Sequence, residues 1–217
     1  LDACPKCGET KKWYAQHWRR SKDCRYPRIE ADQHALLQGL LLGDGSLDGN
    51  SEGNAKFRFT TTSKQFAGWV YEELGWLATK LERHSQPGTS DGYRVKAAAH
   101  PDCNRYRTWY TDGKKRLPPY FCFVPRSARA FHACDGNLSF GGRNRPHVEF
   151  RAGNSRYKER LISALSRWDV PTTTASGIVR IPKNEVEGWV KDIGQPVPGV
   201  EHKWELQKGE YDTLISQ

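Results

Sequence analysis

The sequence predicts an α+β protein in which one arrangement of helices and hairpins occurs twice about a pseudo-twofold axis, preceded by a small N-terminal module. Three observations support this prediction. An apolar helical segment that ends in Asp-Gly occurs at 37–45 and again, in degenerate form, at 128–136. Each copy is followed by segments that alternate polar and apolar residues, as half-buried strands do. Three of the six cysteines lie before residue 25.

Composition limits the classes of partner. The chain has 217 residues and a formal net charge of +9, so we expect an acidic partner. Nucleic acid is the first candidate and a membrane surface the second. No apolar run approaches the roughly 20 residues that span a bilayer, and no signal-peptide pattern opens the chain. The clustered cysteines favour a metal site in a reducing compartment over disulfides.

Residues 1–28 are predicted to form a separate metal-binding module. Cys4 and Cys7 stand in a Cys-Pro-Lys-Cys-Gly knuckle, and His17 and Cys24 follow at spacings that could complete a tetrahedral Zn²⁺ site. So short a segment has too little apolar mass to fold without such a staple. The alternative is a set of ordinary cysteines near an unstructured terminus. The residues between the ligands suit phosphate contact or form only a solvated face; they are Lys11, Lys12, Trp13, Tyr14, Trp18, Arg19, Arg20 and Lys22.

The first repeat begins with a predicted helix over 31–44, with Asp32 as its N-cap. Gly39 and Gly43 lie on one face of this helix, although each glycine costs a helix roughly 1 kcal/mol relative to alanine. We therefore expect another helix to approach this face closely. The predicted partner is the second motif helix at 126–135, which offers small residues at Ala130 and at Ala133 or Cys134, begins near Pro125 and ends at Gly136.

The other elements follow from hydrophobic periodicity and turn signals. In the first half these are a hairpin at 46–61, a helix at 63–82, strands at about 83–87 and 93–97, and a helix at 102–111. In the second half they are strands at 138–140 and 148–151, a helix at 155–168, a hairpin at 172–181 and a helix at 183–193. The predicted halves span 31–124 and 125–205, and a tail occupies 206–217.

Basic and polar side chains alternate with apolar ones in the predicted hairpins, so one face of each sheet should be basic. Two-stranded ribbons fit the major groove of DNA, where the base edges carry a full code. Each residue alone could be a solvated surface charge, but their recurrence in four hairpins favours a DNA-binding saddle. The candidate DNA-binding residues are Lys56, Arg58, Thr60, Arg94, Lys96, Arg143, Arg145, Arg151 and Arg180.

Asp44 and Asp135 end the two helices that are predicted to pair. Two carboxylates at converging helix C-termini repel each other and the helix dipoles. A divalent cation would offset this repulsion, and hard oxygen ligands suit Mg²⁺. Such a centre could activate water for hydrolysis of a phosphodiester. Taken singly, Asp-Gly after a helix is a common turn, so the repeat carries this interpretation.

These residues resemble a known family. The stretch at 37–45 resembles the LAGLIDADG motif, and 128–136 resembles a divergent second copy. The segments at 100–110, 113–118 and 124–127 resemble the middle region of the family. The resemblance covers about residues 31–205 and is to a monomeric LAGLIDADG homing endonuclease, with 1–28 as an added module.

The resemblance implies a duplicated αββαββα fold, double-stranded DNA as partner, and an intracellular monomer that acts on the DNA of its host. It also implies Mg²⁺, with Ca²⁺ or Mn²⁺ as substitutes, and staggered double-strand breaks with 3′ overhangs. The implied catalytic residues are the carboxylates Asp44 and Asp135, the basic residues Lys115 and Lys203, and the solvent-orienting Ser63 and Asn154. The backbone carbonyls of Gly43 and Cys134 are further candidate ligands of Mg²⁺.

Two alternatives stay open. The same fold could serve a non-catalytic nucleic-acid-binding protein, either an RNA maturase or a transcription regulator. Retention of Asp44, Asp135 and Lys115 favours catalysis, since a regulator could lose any of them. An intein is disfavoured because no splicing segments flank the repeats.

Overall fold

The structure is a computed structural model that contains six helices and ten strands in its described part. It describes residues 3–4, 6–10, 14–21, 24–49, 52–85, 91–111, 114–141, 145–175 and 177–205. The predicted tail at 206–217 therefore lies outside the described residues, and the proposed domain boundaries stay predictions. Within the described residues, no helix has the length and apolar character needed to cross a membrane.

The elements occur in two series. The first comprises α1 (Tyr14–Arg20), α2 (Ala31–Leu42), β1 (Ser46–Asp48), β2 (Lys56–Thr61), α3 (Lys64–Leu74), β3 (Ala78–His84), β4 (Gly92–Ala99), a 3₁₀ segment (Pro101–Trp109), β5 (Tyr110–Thr111) and β6 (Lys114–Lys115). The second comprises α4 (Pro125–Asp135), β7 (Gly136–Gly141), β8 (Arg145–Arg151), α5 (Ser155–Ser166), β9 (Thr173–Ala175), β10 (Ile178–Ile181), α6 (Lys183–Ile193) and a 3₁₀ turn (Glu201–Lys203).

Two four-stranded antiparallel sheets carry the duplication. Their strand orders are β1-β2-β4-β3 and β7-β8-β10-β9, which are the same order with the strands renumbered. Phe59 lies opposite Val95 in the first sheet, and Phe150 lies opposite Val179 in the second. All four side chains are fully buried, so each sheet turns one face to the core. The predicted duplicated α+β fold is confirmed.

Helices α2 and α4 pair through backbone contact, as the glycine spacing predicts. A methyl group built on Gly39 would lie 2.2 Å from the carbonyl oxygen of Ser127 and 2.7 Å from the Cβ atom of Ala130. One built on Gly43 would lie 2.1 Å from the Cβ atom of Cys134. The helices could not come this close with larger residues at these positions. The close pairing brings the two helix C-termini together.

The helix predicted over 63–82 is wrong in its second half. Helix α3 ends at Leu74, a 3₁₀ turn follows at Gly75–Leu77, and β3 occupies Ala78–His84. Gly75 has a φ of +53°, a left-handed conformation that stops the helix and suits glycine. The strand predicted at about 83–87 therefore begins earlier, and 86–90 lie outside the described residues. Leu81, expected on the apolar stripe of the helix, is 36% exposed.

Two helix ends also differ from the prediction. Glu30, and not Asp32, is the N-cap of α2, and its backbone N–H donates to the side-chain oxygen of Gln33 at 3.3 Å. The helix predicted at 102–111 is a 3₁₀ segment that ends at Trp109. The next residues form the short hairpin β5–β6, in which Tyr110 lies opposite Lys115. This hairpin supplies one of the candidate catalytic lysines.

The N-terminal segment, which includes α1, packs against the rest of the first series through Trp18. This side chain is 2% exposed, and its ring lies 5.6 Å from both Tyr26 and Trp76 and 6.5 Å from His100, measured between centroids. A phosphate contact by Trp18, one of the aromatic residues considered for that role, is therefore wrong. Burial of this large apolar ring explains its presence better.

Candidate functional site

Asp44 and Asp135 stand where the paired helices end. Asp135 is the last residue of α4, and Asp44 follows the C-cap of α2 by one residue. The contact between Gly43 and Cys134, the residues immediately before them, fixes the two carboxylates side by side across the pseudo-twofold axis. Asp44 is exposed and Asp135 is partly buried, so the pair faces solvent over a packed interface.

Electrostatics disfavour two negative charges at this place. Burial, followed by the charge of Asp44, raises the pKa of Asp135 to about 6. The protein packed around Asp44 also removes part of the water from its carboxylate and raises its pKa, although the charges of Lys203 and Lys115 act in the opposite direction. The folded chain therefore holds a strained carboxylate pair whose ionised form needs positive charge nearby.

Lys115 bridges the two motifs from the β5–β6 hairpin. Its ammonium donates to the carbonyl oxygen of Gly43 and, at 2.9 Å, to that of Gly45. Burial lowers its pKa, and Asp135 is the largest of the nearby charges that raise it again. Lys115 is thus hydrogen-bonded to the first motif while its charge stabilises the carboxylate of the second.

Lys203 makes the reciprocal arrangement from the 3₁₀ turn near the end of the described chain. Its ammonium donates to the carbonyl oxygen of Cys134 at 2.5 Å. Burial lowers its pKa, while the charges of Asp44 and Asp135 act to raise it. Among the charges that lower the pKa of Asp44, Lys203 is the largest. Each lysine is therefore hydrogen-bonded to the motif of its own half, while its charge stabilises the carboxylate of the other half. We call this arrangement the crossed centre.

The crossing bears on the carbonyl groups that were predicted as metal ligands. The carbonyl oxygens of Gly43 and Cys134 each accept a hydrogen bond from a lysine. Ligation of a cation would have to use the second lone pair of each oxygen, beside an ammonium group. Their role as ligands stays a prediction, whereas the two carboxylates form the donor set that a hard divalent cation prefers.

The thiol of Cys134 is a poor candidate ligand for such a cation. The residue is buried at the helix interface. Burial, reinforced by the charge of Asp44, raises the pKa of this thiol well above its usual range, so it stays protonated. The side chain packs against Gly43 and fills the interface.

Ser63 and Asn154 lie at equivalent strand-to-helix junctions, as predicted. The hydroxyl oxygen of Ser63 accepts from the backbone N–H of Phe66 at 3.1 Å, which caps α3. The amide oxygen of Asn154 accepts from the backbone N–H of Tyr157 at 2.8 Å, which caps α5. Capping fixes both side chains through their oxygens, and their hydrogen atoms are still able to donate to solvent.

The basic faces of the sheets follow the predicted alternation where the structure describes them. Arg58 lies opposite Lys96, and Thr60 lies opposite Arg94, on the face away from buried Phe59. Two cations in direct cross-strand opposition destabilise a sheet unless negative charge is near. Arg143 lies outside the described residues, as does the side chain of Arg145.

Acidic residues of the same faces balance part of this charge. Arg58 pairs with Asp48 at 3.1 Å, and Lys96 pairs with Glu82 at 2.5 Å. In the second sheet, the oxygen Oε1 of Glu149 accepts from both Arg180 and His147, each at 2.8 Å. In the described part of the chain, these ion pairs hold the cationic side chains at the sheet surface. Lys56 and Arg151 are exposed at the same faces.

The N-terminal cysteines and histidine come together as predicted. The ligand atoms of Cys4, Cys7, His17 and Cys24 all lie within 4.8 Å of one another. The Sγ atoms of Cys4 and Cys24 are 3.5 Å apart, and Cys7 Sγ lies 3.3 Å from Nε2 of His17. A tetrahedral zinc site with Zn–S bonds of about 2.3 Å places its sulfur atoms about 3.8 Å apart. The cluster is compatible with such a site.

One thiol of this cluster is already disposed to ionise. Burial acts to raise the pKa of Cys4, but hydrogen bonds from the Trp18 indole and from the backbone of Cys7 and Lys6 lower it to about 6. The indole nitrogen lies 3.1 Å from the sulfur. Burial and the neighbouring thiols raise the pKa of Cys24 to about 12. A cation would remove this difference, because it favours the ionised form of every thiol it binds.

One functional candidate was missed in the sequence. His132 is fully buried within the second motif helix, and its ring nitrogen Nε2 lies 2.9 Å from the backbone carbonyl oxygen of Lys203. The sequence offers one signal for it. His132 in the second motif helix occupies the position at which the first motif has Leu41. The contact itself joins residues too distant in sequence to be inferred from periodicity.

The chain was compared with known proteins by structure and by sequence. The DNA-bound homing endonuclease I-WcaI has a similar structure, with a TM-score of 0.74, 13% sequence identity, and coverage of 92% of this chain and 95% of that one. Full-length DUF199/WhiA from Thermatoga maritima matches at a TM-score of 0.48 with 10% identity, over 88% of this chain and 62% of that one. The DNA-bound meganuclease I-AabMI also matches at 0.48 with 10% identity, over 83% of this chain and 91% of that one. No curated protein matches the chain by sequence.

The likeness to I-WcaI shows the fold, and the family follows from sequence. The model of the LAGLIDADG DNA endonuclease family matches residues 34–173, which is more than half of the chain. This range contains α4, all but the first three residues of α2, both aspartates and Lys115 of the β5–β6 hairpin. The chain therefore belongs to the LAGLIDADG DNA endonuclease family.

Proposed function

We propose that the protein is a site-specific, Mg²⁺-dependent DNA endonuclease that makes staggered double-strand breaks with 3′ overhangs. The observation that carries this proposal is the crossed centre, in which two carboxylates and two lysines meet at the ends of paired helices. Membership of a DNA endonuclease family agrees with it. The raised pKa of Asp135 shows that the ionised pair destabilises the folded chain, and such a cost favours a role in metal binding over nucleic-acid binding alone.

Each group of the centre has a chemical task. The carboxylates of Asp44 and Asp135 present oxygen donors to Mg²⁺, which in such sites supplies positive charge and acidifies bound water. The ammonium groups of Lys115 and Lys203 lie beside these carboxylates, where they can stabilise the charge that develops on a phosphate. Ser63 and Asn154, held by their capping hydrogen bonds, orient solvent at the edge of the centre.

DNA would lie across the basic faces of the two sheets. Strand pairs of this kind enter the major groove and present alternate side chains to base edges and phosphates. We propose that Lys56, Arg58, Thr60, Arg94, Lys96, Arg143, Arg145, Arg151 and Arg180 contact DNA. The acidic partners of Arg58, Lys96 and Arg180 would exchange these cations with phosphate oxygens when DNA binds. We propose that the chain acts as a monomer, because both halves of the centre lie in one chain.

The test is cleavage of a library of randomised duplexes in the presence of Mg²⁺, followed by sequencing of the cut ends. We expect one family of related sites with 3′ overhangs. Asp44→Asn and Asp135→Asn should each abolish double-strand cleavage and retain DNA binding. Normal cutting of both strands by either variant would contradict the paired-carboxylate centre. No cleavage of any duplex together with tight RNA binding would favour the non-catalytic alternative.

We also propose that the N-terminal cluster holds one Zn²⁺ through Cys4, Cys7, His17 and Cys24. The ligand distances and the lowered pKa of Cys4 support it. Burial of Trp18 against the first series gives the metal a structural role, since the ion would fix the segment that carries this ring. Metal analysis of the purified protein should find about one zinc ion per chain, because a Cys₃His set binds a single ion.

A further inference from the structure

His132 is a polar residue whose buried neighbours on α4, Phe131 and Ala133, are apolar. It lies on α4, three residues before Asp135, and none of its side chain is exposed. The position equivalent to it in the first motif, Leu41, is also fully buried but apolar. A buried imidazole costs free energy unless its nitrogens are hydrogen-bonded. Its partners therefore show what it does.

Both ring nitrogens of His132 have partners that agree with one neutral tautomer. Nε2 lies 2.9 Å from the carbonyl oxygen of Lys203, which can only accept, so Nε2 carries the hydrogen. The indole N–H of Trp189 donates to Nδ1 at 3.3 Å, so Nδ1 carries none. The ring of Trp204 packs edge-on at 4.6 Å between centroids. Burial lowers the pKa of His132 to about 4, so this neutral form persists at physiological pH.

Helix α4 thereby holds Lys203 at two points. His132 binds the backbone carbonyl of Lys203, and the carbonyl of Cys134 accepts from its ammonium. Without the first contact, Lys203 would be restrained at its backbone mainly by a short 3₁₀ turn and by the burial of Trp204. The position of the ammonium beside the carboxylates would then depend on its single hydrogen bond to the carbonyl of Cys134.

The first half places its lysine by different means. Lys115 lies in the β5–β6 hairpin opposite Tyr110, and its ammonium binds two carbonyls, those of Gly43 and Gly45. No imidazole is needed there, which agrees with leucine at position 41. The two catalytic lysines are therefore supported by unlike structures within a pseudo-symmetric centre.

We propose that His132 is a positioning residue for Lys203, and that cleavage of one DNA strand depends on it while cleavage of the other strand does not. This inference rests on the proposed nuclease function. The inference assigns one lysine to the cleavage of each DNA strand. It also assigns His132 to Lys203 and the β5–β6 hairpin to Lys115 as the structures that hold them. Loss of the imidazole would convert a nuclease that cuts both strands into one that mainly nicks.

The first experiment measures the two strands separately. A duplex recovered from the randomised library carries a different fluorophore on each strand, and single-turnover rates are measured with Mg²⁺. We expect His132→Leu to slow one strand by about 10- to 100-fold, by analogy with the loss of a partner that orients a metal ligand. The other strand should keep its rate. His132→Gln, which retains an N–H donor, should restore most of the lost rate.

His100→Leu is the matched control. His100 is 1% exposed, and its Nε2 also binds a backbone carbonyl, that of Pro27 at 2.8 Å. This substitution removes an equally buried imidazole outside the centre, so it should lower stability without changing the ratio of the two strand rates. If His132→Leu does not fold, Trp189→Phe replaces it. This substitution removes the indole N–H that binds Nδ1 of His132, so the imidazole is held less firmly and the same ratio of strand rates should shift. Equal slowing of both strands, or an unchanged ratio, would overturn the inference.

A second experiment needs no DNA. Acetic anhydride labels lysines in proportion to the exposure and freedom of their amines, and mass spectrometry reads each site. In His132→Leu, labelling of Lys203 should rise towards that of exposed Lys183, while labelling of Lys115 stays as in the wild type. Absence of cleavage by the wild type would refute the proposed function alone. Cleavage by the wild type with unchanged Lys203 labelling in the variant would refute the positioning role alone.

Discussion

Substitution of Gly39 by alanine tests the helix pairing on which the centre depends. The new methyl group would lie 2.7 Å from the Cβ atom of Ala130 and 2.2 Å from the carbonyl oxygen of Ser127. Carbon atoms in contact lie about 3.5 Å or more apart, so the helices would have to separate by about 1 Å. One of the obstructing atoms belongs to the backbone and cannot rotate away.

The expected size of the effect follows from two opposing terms. Alanine improves the helix by about 0.5–1 kcal/mol relative to glycine. Overpacking of a close interface costs about 1–3 kcal/mol. We expect a net loss of about 1–2 kcal/mol, and hence a fall in Tm of about 2–8 °C at this chain length. Thermal unfolding followed by circular dichroism, with urea titration as a second measure, gives both quantities.

Gly68→Ala is the control, because Gly68 lies in α3 and a methyl group there would meet no atom within 4 Å. That variant should gain about 0.5–1 kcal/mol, so the two alanine substitutions are expected to have opposite signs. Gly39→Ala should also slow cleavage of both strands, since separation of the helices displaces both carboxylates. A Gly39→Ala protein as stable as Gly68→Ala would refute the close approach of the helices.

Three further outcomes are expected. The pKa of Asp135 is raised from 3.8 to about 6, so ionisation of Asp135 destabilises the folded chain as the pH rises through 6, by up to about 3 kcal/mol at neutral pH. Without divalent metal, Asp135→Asn should therefore raise Tm at neutral pH but not in acid. A lower Tm of the variant at neutral pH would contradict this. Cys7→Ser should lose the zinc measured by metal analysis and lower Tm, whereas Cys122→Ser, outside the cluster, should do neither. Arg180→Ala should weaken DNA binding and reduce its salt dependence by about one counterion, more than Lys191→Ala on α6, and equal effects of the two would count against contact by that sheet.

The sequence predicts the parts of this structure that depend on local pattern. The spacing of Gly39 and Gly43 predicts the helix pairing, because only residues on one face of a helix recur in that way. Alternation in Lys56–Thr61 predicts a strand with one buried face, which the structure confirms. In the N-terminal cluster, the Cys-Pro-Lys-Cys-Gly knuckle is the specific local signal, whereas His17 and Cys24 follow at irregular spacings that the fold brings to it.

Other features depend on contacts that no local pattern encodes. The segment after Gly75 has apolar residues at helical spacing, yet it forms β3 because strand β4 offers it a pairing partner. Trp18 lies among basic residues in sequence but is buried by Trp76 and His100, which are distant in the chain. The imidazole of His132 meets Lys203 for the same reason. Tertiary packing decided each of these cases.

The hydrogen bonds that hold Lys115 and Lys203 have a consequence for folding kinetics. The carbonyls that hold Lys115 and Lys203 lie 72 and 69 residues away along the chain, and the carbonyl of Lys203 is held from 71 residues away. Contacts of such separation form late, because the entropy of closing long loops must first be offset by other packing. Helices α2 and α4 must also pair before each ammonium lies beside the carboxylate of the other half. A partly folded chain would hold its aspartates and its DNA-facing strands without an ordered reaction centre, so DNA binding should recover before cutting during refolding.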